Sequence, residues 1–225
     1  NPAYPTHRTP KFIMKGCRIM SNQIKITYVN RSMNEDLPKI FLFLKNEIPT
    51  FDALKDGVAW RVIPDVGRGS QCTVIYPIET AVSASWNDHA CRTAMLTASI
   101  GKRYHIIEDG TGITIDEDGN AGNTRSIDVA NDIRVPGGIS VDLYKDGKLM
   151  MRKKTVAYDQ KATFVLHPKL YWGLASEIQE GDQLSSAVLN SDSFFEQDLE
   201  GVSEVTVGLY GNPEEGYRFE VESQK

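Results

Sequence analysis

The chain contains little cysteine and no cysteine motif, which argues against a disulfide-rich fold and against a fold held by a structural zinc ion. Its 225 residues include three cysteines, Cys17, Cys72 and Cys91, and no Cys-x-x-Cys pair. An odd count at wide spacing fits neither a disulfide framework nor a structural zinc site. The spacing predicts either reduced, buried thiols or an unpaired thiol that links two chains, and Cys17 is the first candidate for such a link.

Long apolar runs and segments of one charge sign are also lacking. No stretch approaches the roughly 20 apolar residues that a membrane-spanning helix needs, and a formal net charge of −5 comes without a basic stripe. We therefore expect no membrane span and no nucleic-acid partner. The chain does not begin with Met, so a cytoplasmic location and, after removal of a leader, a vacuolar or secreted one both stay open.

Motifs for nucleophilic catalysis, phosphate binding and transition-metal binding are missing as well. The sequence has no Gly-x-Ser-x-Gly elbow and no Gly-x-x-x-x-Gly-Lys loop. Its four histidines show no metal-ligand spacing, and the best combination, His89, His105 and Asp109, is interpreted as surface and turn residues. We expect no catalytic residue and no cofactor.

One acidic segment partly matches a calcium-binding loop. Asp116, Asp118 and Asn120 alternate as calcium ligands do. A calcium hand beginning at Asp116 would need glycine where Ala121 stands and glutamate where Ile127 stands. The pattern therefore favours a solvated hairpin turn, and the three residues are kept only as weak metal candidates.

Short apolar segments separated by Gly, Asp, Asn and Pro turns dominate what is present. Gln23 to Val29 alternates polar and apolar residues as a half-buried strand does, and Ile40 to Leu44 is typical of a strand buried on both faces. Ile139 to Lys145 and Lys148 to Ala157 flank Asp146-Gly147, a pair suited to a type I′ hairpin turn. We predict an all-β fold, a β-sandwich or elaborated jelly roll.

Both ends of the chain depart from this strand pattern. Pro5 and Pro10 lie in a proline-containing N-terminal arm, residues 1–22, which we expect to be an extended strap. Residues 23–225 are predicted to form a single sandwich domain. Ser191 to Leu199 is predicted to be one short helix, since a capping-box spacing opens it.

The segment from Ala162 to Gly173 places a histidine and a proline between two apolar runs. No acid or nucleophile is encoded beside His167, and Pro168 biases it toward extended geometry, so we interpret it as a packing residue at a strand end. In the strand that follows, Tyr171 and Trp172 point to opposite faces. We expect one of these two aromatic rings to be exposed or covered by a partner, with a glycan as one candidate.

Five segments, spread over most of the chain, carry a resemblance to a known family. They are Val58 to Ile63, Gly67 to Gly69, Tyr76-Pro77, Phe164 to Trp172 and Glu180 to Val188. These segments resemble small soluble bacterial and fungal β proteins whose members often carry an aromatic-ring-opening dioxygenase label, which implies a metal-dependent oxygenase. The chain is also similar in kind to fungal crystal-matrix proteins, which assemble into storage or sedimenting bodies, and this implies self-assembly.

Our leading hypothesis is a non-enzymatic structural protein that associates with itself into an oligomer, a lattice or a crystal-like body. Pro5, Pro10 and Cys17 would act in assembly, with Cys17 in an intermolecular disulfide; Cys72 and Cys91 are expected to be buried or intermolecular thiols. The alternatives are a carbohydrate- or surface-binding module that uses Tyr171 or Trp172, and a metal-dependent oxygenase.

Overall fold

The fold consists of short strands joined by turns, in agreement with the all-β sandwich that the sequence predicts. The computed structural model describes residues 22–33, 37–48, 54–184 and 194–225. Its strands, in chain order, are β1 (Gln23–Asn30), β2 (Lys39–Phe43), β3 (Arg61–Ile63), β4 (Gln71–Pro77), β5 (Thr80–Trp86), β6 (Cys91–Arg92), β7 (Leu96–Ala98), β8 (Lys102–Asp109), β9 (Gly112–Asn120), β10 (Ser126–Asn131), β11 (Ile139–Lys145), β12 (Lys148–Val156), β13 (Gln160–Val165), β14 (Lys169–Ala175), β15 (Phe195–Asp198), β16 (Glu204–Asn212) and β17 (Gly216–Gln224).

These strands form four sheets. Sheet 1 has the order β17-β16-β1-β4, sheet 2 the order β13-β10-β8-β9, sheet 3 the order β12-β11-β5-β6 with β7 also on β5, and sheet 4 the order β15-β14-β2-β3. The pairs β1–β16 and β8–β10 are parallel, and the other named pairs are antiparallel. Sheets 1 and 4 contact each other through aromatic rings, since the centroids of Tyr28 and Trp172 lie 6.4 Å apart.

Local sequence patterns explain the best-predicted elements. Strand β2 is buried on both faces, as its continuous apolar run predicts, and it lies between β14 and β3. The turn between β11 and β12 has φ of 53° at Asp146 and 66° at Gly147. A type I′ turn requires positive φ at both central residues, so this hairpin prediction is confirmed.

The main hydrophobic core draws residues from all four sheets, and a second cluster lies on the other face of sheet 4. Trp60 is fully buried in the main core, as expected for an anchor residue. Its indole Nε1 donates a hydrogen bond to the carbonyl of Lys145 at 3.0 Å. This bond ties the segment before β3 to the end of β11.

The short helix predicted from Ser191 to Leu199 is wrong where the structure describes it. Phe195–Asp198 is strand β15, which pairs antiparallel with β14. Gln197 is buried and its neighbours on either side are exposed, a period of two. Pairing with the free edge of β14 therefore outweighs the local capping-box signal.

The N-terminal arm lies outside the described residues, apart from Asn22, so the predictions for Pro5, Pro10 and Cys17 lie there too. Within the described ranges, no helix has the length and apolar character to cross a membrane.

Candidate functional site

A cavity of about 590 Å³ opens between sheet 1, the end of β11 and the β13–β14 connection. Ile24, Leu44 and Leu166 are buried in its wall, with the ring of Tyr76 beside them. At its mouth Ile78 and Ile100 are 58% and 51% exposed. A concave site of this size with mostly apolar walls is typical of ligand pockets.

Lys145 supplies the buried charge of this pocket. Its Nζ donates to the carbonyls of Pro77 and Ile78, each at 3.0 Å, and to Oγ1 of Thr80 at 3.2 Å. The ammonium also lies 4.8 Å from the centroid of the Tyr76 ring. Because burial disfavours the charged form, the pKa of Lys145 is lowered to about 8.

The other charged groups around the cavity are mostly cationic. Arg125 and Lys225 line it together with Lys145 and the carboxylate side chain of Glu200, and Lys225 also pairs with Glu204 at 3.7 Å. Arg125, Lys225 and Glu200 are exposed, whereas Lys145 is buried. The pocket thus combines an apolar wall with a positive interior and a mixed rim.

His167 lies in the pocket wall, where it is half-buried. Its carbonyl accepts a hydrogen bond from the amide of Lys169 at 2.7 Å, and the carbonyl of Pro168 accepts one from Leu199 at 2.7 Å. These backbone bonds hold the crossing from β13 in sheet 2 to β14 in sheet 4. The segment is therefore a connection between sheets, and its histidine faces a cavity that the sequence did not reveal.

A second polar cluster covers the outer face of sheet 3. Ser85 Oγ lies 2.7 Å from Nδ1 of His89, and Asp142 accepts two bonds from Arg152, at 2.7 and 2.8 Å. Tyr144 donates to Asp142 at 3.3 Å. Ser85 is buried, so its hydroxyl is placed to hold the β5–β6 turn.

The weak calcium candidates lie on a strand instead of in a turn. Asp116, Asp118 and Asn120 belong to β9, and a bulge in the β8–β9 pairing accompanies them. The turn prediction is therefore wrong. Asp118 pairs with Arg103 at 3.4 Å, and the described residues contain no group of three or more His, Cys, Asp or Glu side chains arranged to hold a metal ion.

His89, His105 and Asp109, which the sequence pattern indicates to be surface and turn residues, lie apart. His89 belongs to the β5–β6 turn of sheet 3, whereas His105 and Asp109 belong to β8 in sheet 2. His105 lies 3.3 Å from Asp132, and Asp109 accepts bonds from the backbone and hydroxyl of Thr111. Contact with a neighbouring carboxylate accounts for His105, and turn formation accounts for Asp109.

Cys72 on β4 and Cys91 on β6 are free and half-buried. Asn87 Nδ2 lies 3.9 Å from Sγ of Cys91. Cys17 lies outside the described residues.

Neither ring of the predicted binding face is exposed, so that expectation is wrong. Trp172 is 0% exposed in the main core, and Tyr171 is 4% exposed in the second cluster. The two rings do point to opposite faces, but the chain itself covers both. Tyr171 also donates to Glu47 at 2.8 Å and lies under Lys45, whose Nζ is 4.2 Å from the ring centroid.

Strand β17 is the most exposed long strand edge described. It has nine residues, stands at the end of sheet 1 and pairs along its length with β16 alone among the described strands. On its outer face Arg218 and Glu220 form an ion pair at 2.6 Å. On its inner face Phe219 packs on Trp172 and Phe195, with ring centroids 5.6 and 6.0 Å away.

In comparisons with known proteins, no family model, no curated protein sequence and no solved structure matches the chain.

Sequence reasoning missed Lys145, although a signal was present. Ile139, Val141 and Leu143 alternate toward the core along β11, and Lys145 continues the same alternation. A lysine at an inward position of a buried strand indicates a buried charge. The partners of that charge come from the β4–β5 connection, which the pattern of β11 does not encode.

Proposed function

We propose that the protein is a structural β protein that associates with copies of itself, and that strand β17 is one of its contact surfaces. The observation that carries this is the exposed edge strand β17, on which the oppositely charged Arg218 and Glu220 lie two positions apart on one face. The sequence resemblance to fungal crystal-matrix proteins agrees with it, as does the odd cysteine count.

An unpaired edge strand presents a row of backbone N–H and C=O groups that another strand can bond. The five residues from Tyr217 to Val221 pair regularly with β16, and the pairing shifts only beyond Val221. Charges on an edge usually oppose such association, because like charges meet. On β17 the order of Arg218 and Glu220 instead favours association, because opposite charges meet when two copies of the strand pair antiparallel.

Two copies of β17 can pair antiparallel around a twofold axis through Phe219. Antiparallel pairing then places Arg218 of each copy opposite Glu220 of the other, so that two attractive pairs form. On the inner face Phe219 meets its own copy, and Tyr217 meets Val221, which is 43% exposed in the single chain. This register matches charge with opposite charge and apolar side chain with apolar side chain.

Charge reversal tests this register by sedimentation over a range of protein concentrations. Arg218→Glu or Glu220→Arg alone creates two like-charge pairs and removes two attractive ones, so self-association weakens by about tenfold. The double variant Arg218→Glu with Glu220→Arg restores association. An equimolar mixture of the two single variants also associates, because each supplies the charges that the other lacks.

Lys25→Glu is the matched control, since Lys25 is in an exposed ion pair on an inner strand of the same sheet. It should leave association unchanged. A wild-type protein that stays monomeric at all concentrations, with and without reductant, overturns the proposed function. An oligomer that is indifferent to both charge reversals overturns the β17 contact.

Cys17 provides a second link in the proposal. Oxidation should convert the associated protein into a covalent dimer on a non-reducing gel, and Cys17→Ser should prevent this. Because Cys72 and Cys91 are half-buried, Cys72→Ser with Cys91→Ser is expected to leave the covalent dimer in place. A dimer that persists in Cys17→Ser assigns the link to another thiol.

A further inference from the structure

The pocket around Lys145 plays no part in the proposed self-association. It contains a buried ammonium whose described hydrogen-bond partners are two carbonyls and one hydroxyl, all neutral. A buried charge without a counter-ion is costly, and buried charges in proteins are usually paired. Among the described residues, no hydrogen-bond partner of Lys145 carries a compensating negative charge.

We propose that this pocket binds an amphipathic carboxylate of the fatty-acid class, with the carboxylate beside Lys145 and the alkyl chain along the apolar wall toward Ile78 and Ile100. Charge selects the head group, because the cationic side chains of Lys145, Arg125 and Lys225 line the cavity with the carboxylate side chain of Glu200, and of these cations Lys225 is paired with Glu204 at 3.7 Å. The carboxylate supplies the negative charge that the described hydrogen-bond partners of Lys145 do not carry.

The apolar wall selects the tail. Ile24, Leu44 and Leu166 line the interior, and Ile78 and Ile100 continue the apolar surface to the mouth, where both are more than half exposed. An alkyl chain that leaves the pocket along these two side chains removes their surface from water. A compact polar ligand such as a sugar would leave the isoleucines exposed.

Several polar and charged groups surround the cavity, and the test separates their contributions from that of Lys145. The ring of Tyr76 and the hydroxyl of Thr80 contact the ammonium of Lys145, while Arg125, His167, Glu200 and Lys225 lie elsewhere along the cavity. Of the cations, Lys145 is the one that burial makes ready to lose its proton just above neutral pH.

The experiment compares dodecanoate with dodecanol on the full chain by isothermal titration calorimetry. The two probes share a tail and differ in the charge of the head. At pH 7 we expect dodecanoate to bind at least about tenfold more tightly, since only its carboxylate carries a charge that attracts the ammonium of Lys145. Raising the pH to 9.5 should remove most of this preference, because Lys145 becomes neutral, while dodecanol affinity stays constant.

Variants locate the effect. Lys145→Met, once shown to be folded by its thermal melt, should bind both probes equally. His167→Gln should keep the preference for dodecanoate. Ile100→Asp at the mouth should weaken both probes, whereas Met95→Asp, a similarly exposed position outside the cavity, should weaken neither.

Failure of binding by both probes overturns the proposal. Equal affinity for both at pH 7 also overturns it, as does a folded Lys145→Met protein that still prefers dodecanoate. If Lys145→Met does not fold, the pH dependence of the wild-type preference decides the question. The outcome is independent of β17, because it is measured equally well on the Arg218→Glu variant.

Discussion

Two charged residues on strand β11, Asp142 and Lys145, are buried in opposite ways. Asp142 lies on the outer face of sheet 3 and accepts two hydrogen bonds from Arg152, at 2.7 and 2.8 Å. Lys145 lies three positions later on the core face and contacts only neutral oxygens among its described hydrogen-bond partners. One strand therefore carries a compensated charge and an uncompensated one.

The difference shows in the pKa values of two basic groups, Arg152, which pairs with Asp142, and Lys145 itself. The hydrogen bond from Arg152 to Asp142 raises the pKa of Arg152, because the carboxylate favours the charged guanidinium. Burial without a carboxylate lowers the pKa of Lys145 to about 8. The pair of Asp142 and Arg152 holds two neighbouring strands of sheet 3 together. The buried charge of Lys145 is instead the basis of the proposed ligand site.

Breaking the compensated pair should have the largest effect on stability. Asp142→Ala leaves Arg152 partly buried with no carboxylate and removes an acceptor from Tyr144, so the free energy of unfolding should fall by about 3 kcal/mol. Urea denaturation measures this loss. Replacing both partners, Asp142→Leu with Arg152→Met, should recover most of it, and a double variant as unstable as the single one would contradict the account.

The uncompensated charge should reveal itself in the pH dependence of stability. Well below pH 8 Lys145 is protonated in the folded and unfolded chains, so the cost of its burial is present in full. Between its folded pKa of about 8 and its ordinary value of 10.5, the unfolded chain binds more protons, and stability rises with pH by up to about 3 kcal/mol.

Denaturation of the wild type and Lys145→Met at several pH values isolates this contribution. The variant lacks the titrating group, so the difference between the two curves should change across that window. Tyrosine titration affects both proteins alike and cancels. Parallel curves would show that Lys145 is not desolvated in the folded chain.

Removing one neutral partner of Lys145 should have the smallest effect. Thr80→Val keeps the shape of the side chain but deletes the oxygen that accepts the bond at 3.2 Å. We expect a loss of about 1 kcal/mol at pH 7. The loss should shrink above pH 9, where the amine is neutral in the folded chain, and an effect as large as that of Asp142→Ala would contradict the ranking.

Much of the fold could be predicted from local pattern, and less of the candidate site. The alternation of β1, the apolar run of β2 and the Asp146-Gly147 turn are encoded within a few residues. Strand β15 could not be recognised, because its pairing with β14 decides its conformation. The exposure of Tyr171 could not be judged either, since the second cluster that covers it comes from other parts of the chain.

His167 shows where sequence reasoning stops. Its neighbours correctly indicate a strand end, but the cavity that it faces is formed by residues from Ile24 to Lys225. By itself, the sequence determined the β class, the hairpin turns and which strands are apolar, because backbone preference and side-chain alternation are local properties. Only the tertiary structure decided that, among the described residues, Lys145 is buried against neutral hydrogen-bond partners and β17 pairs with β16 alone, because both depend on which distant segments pack together.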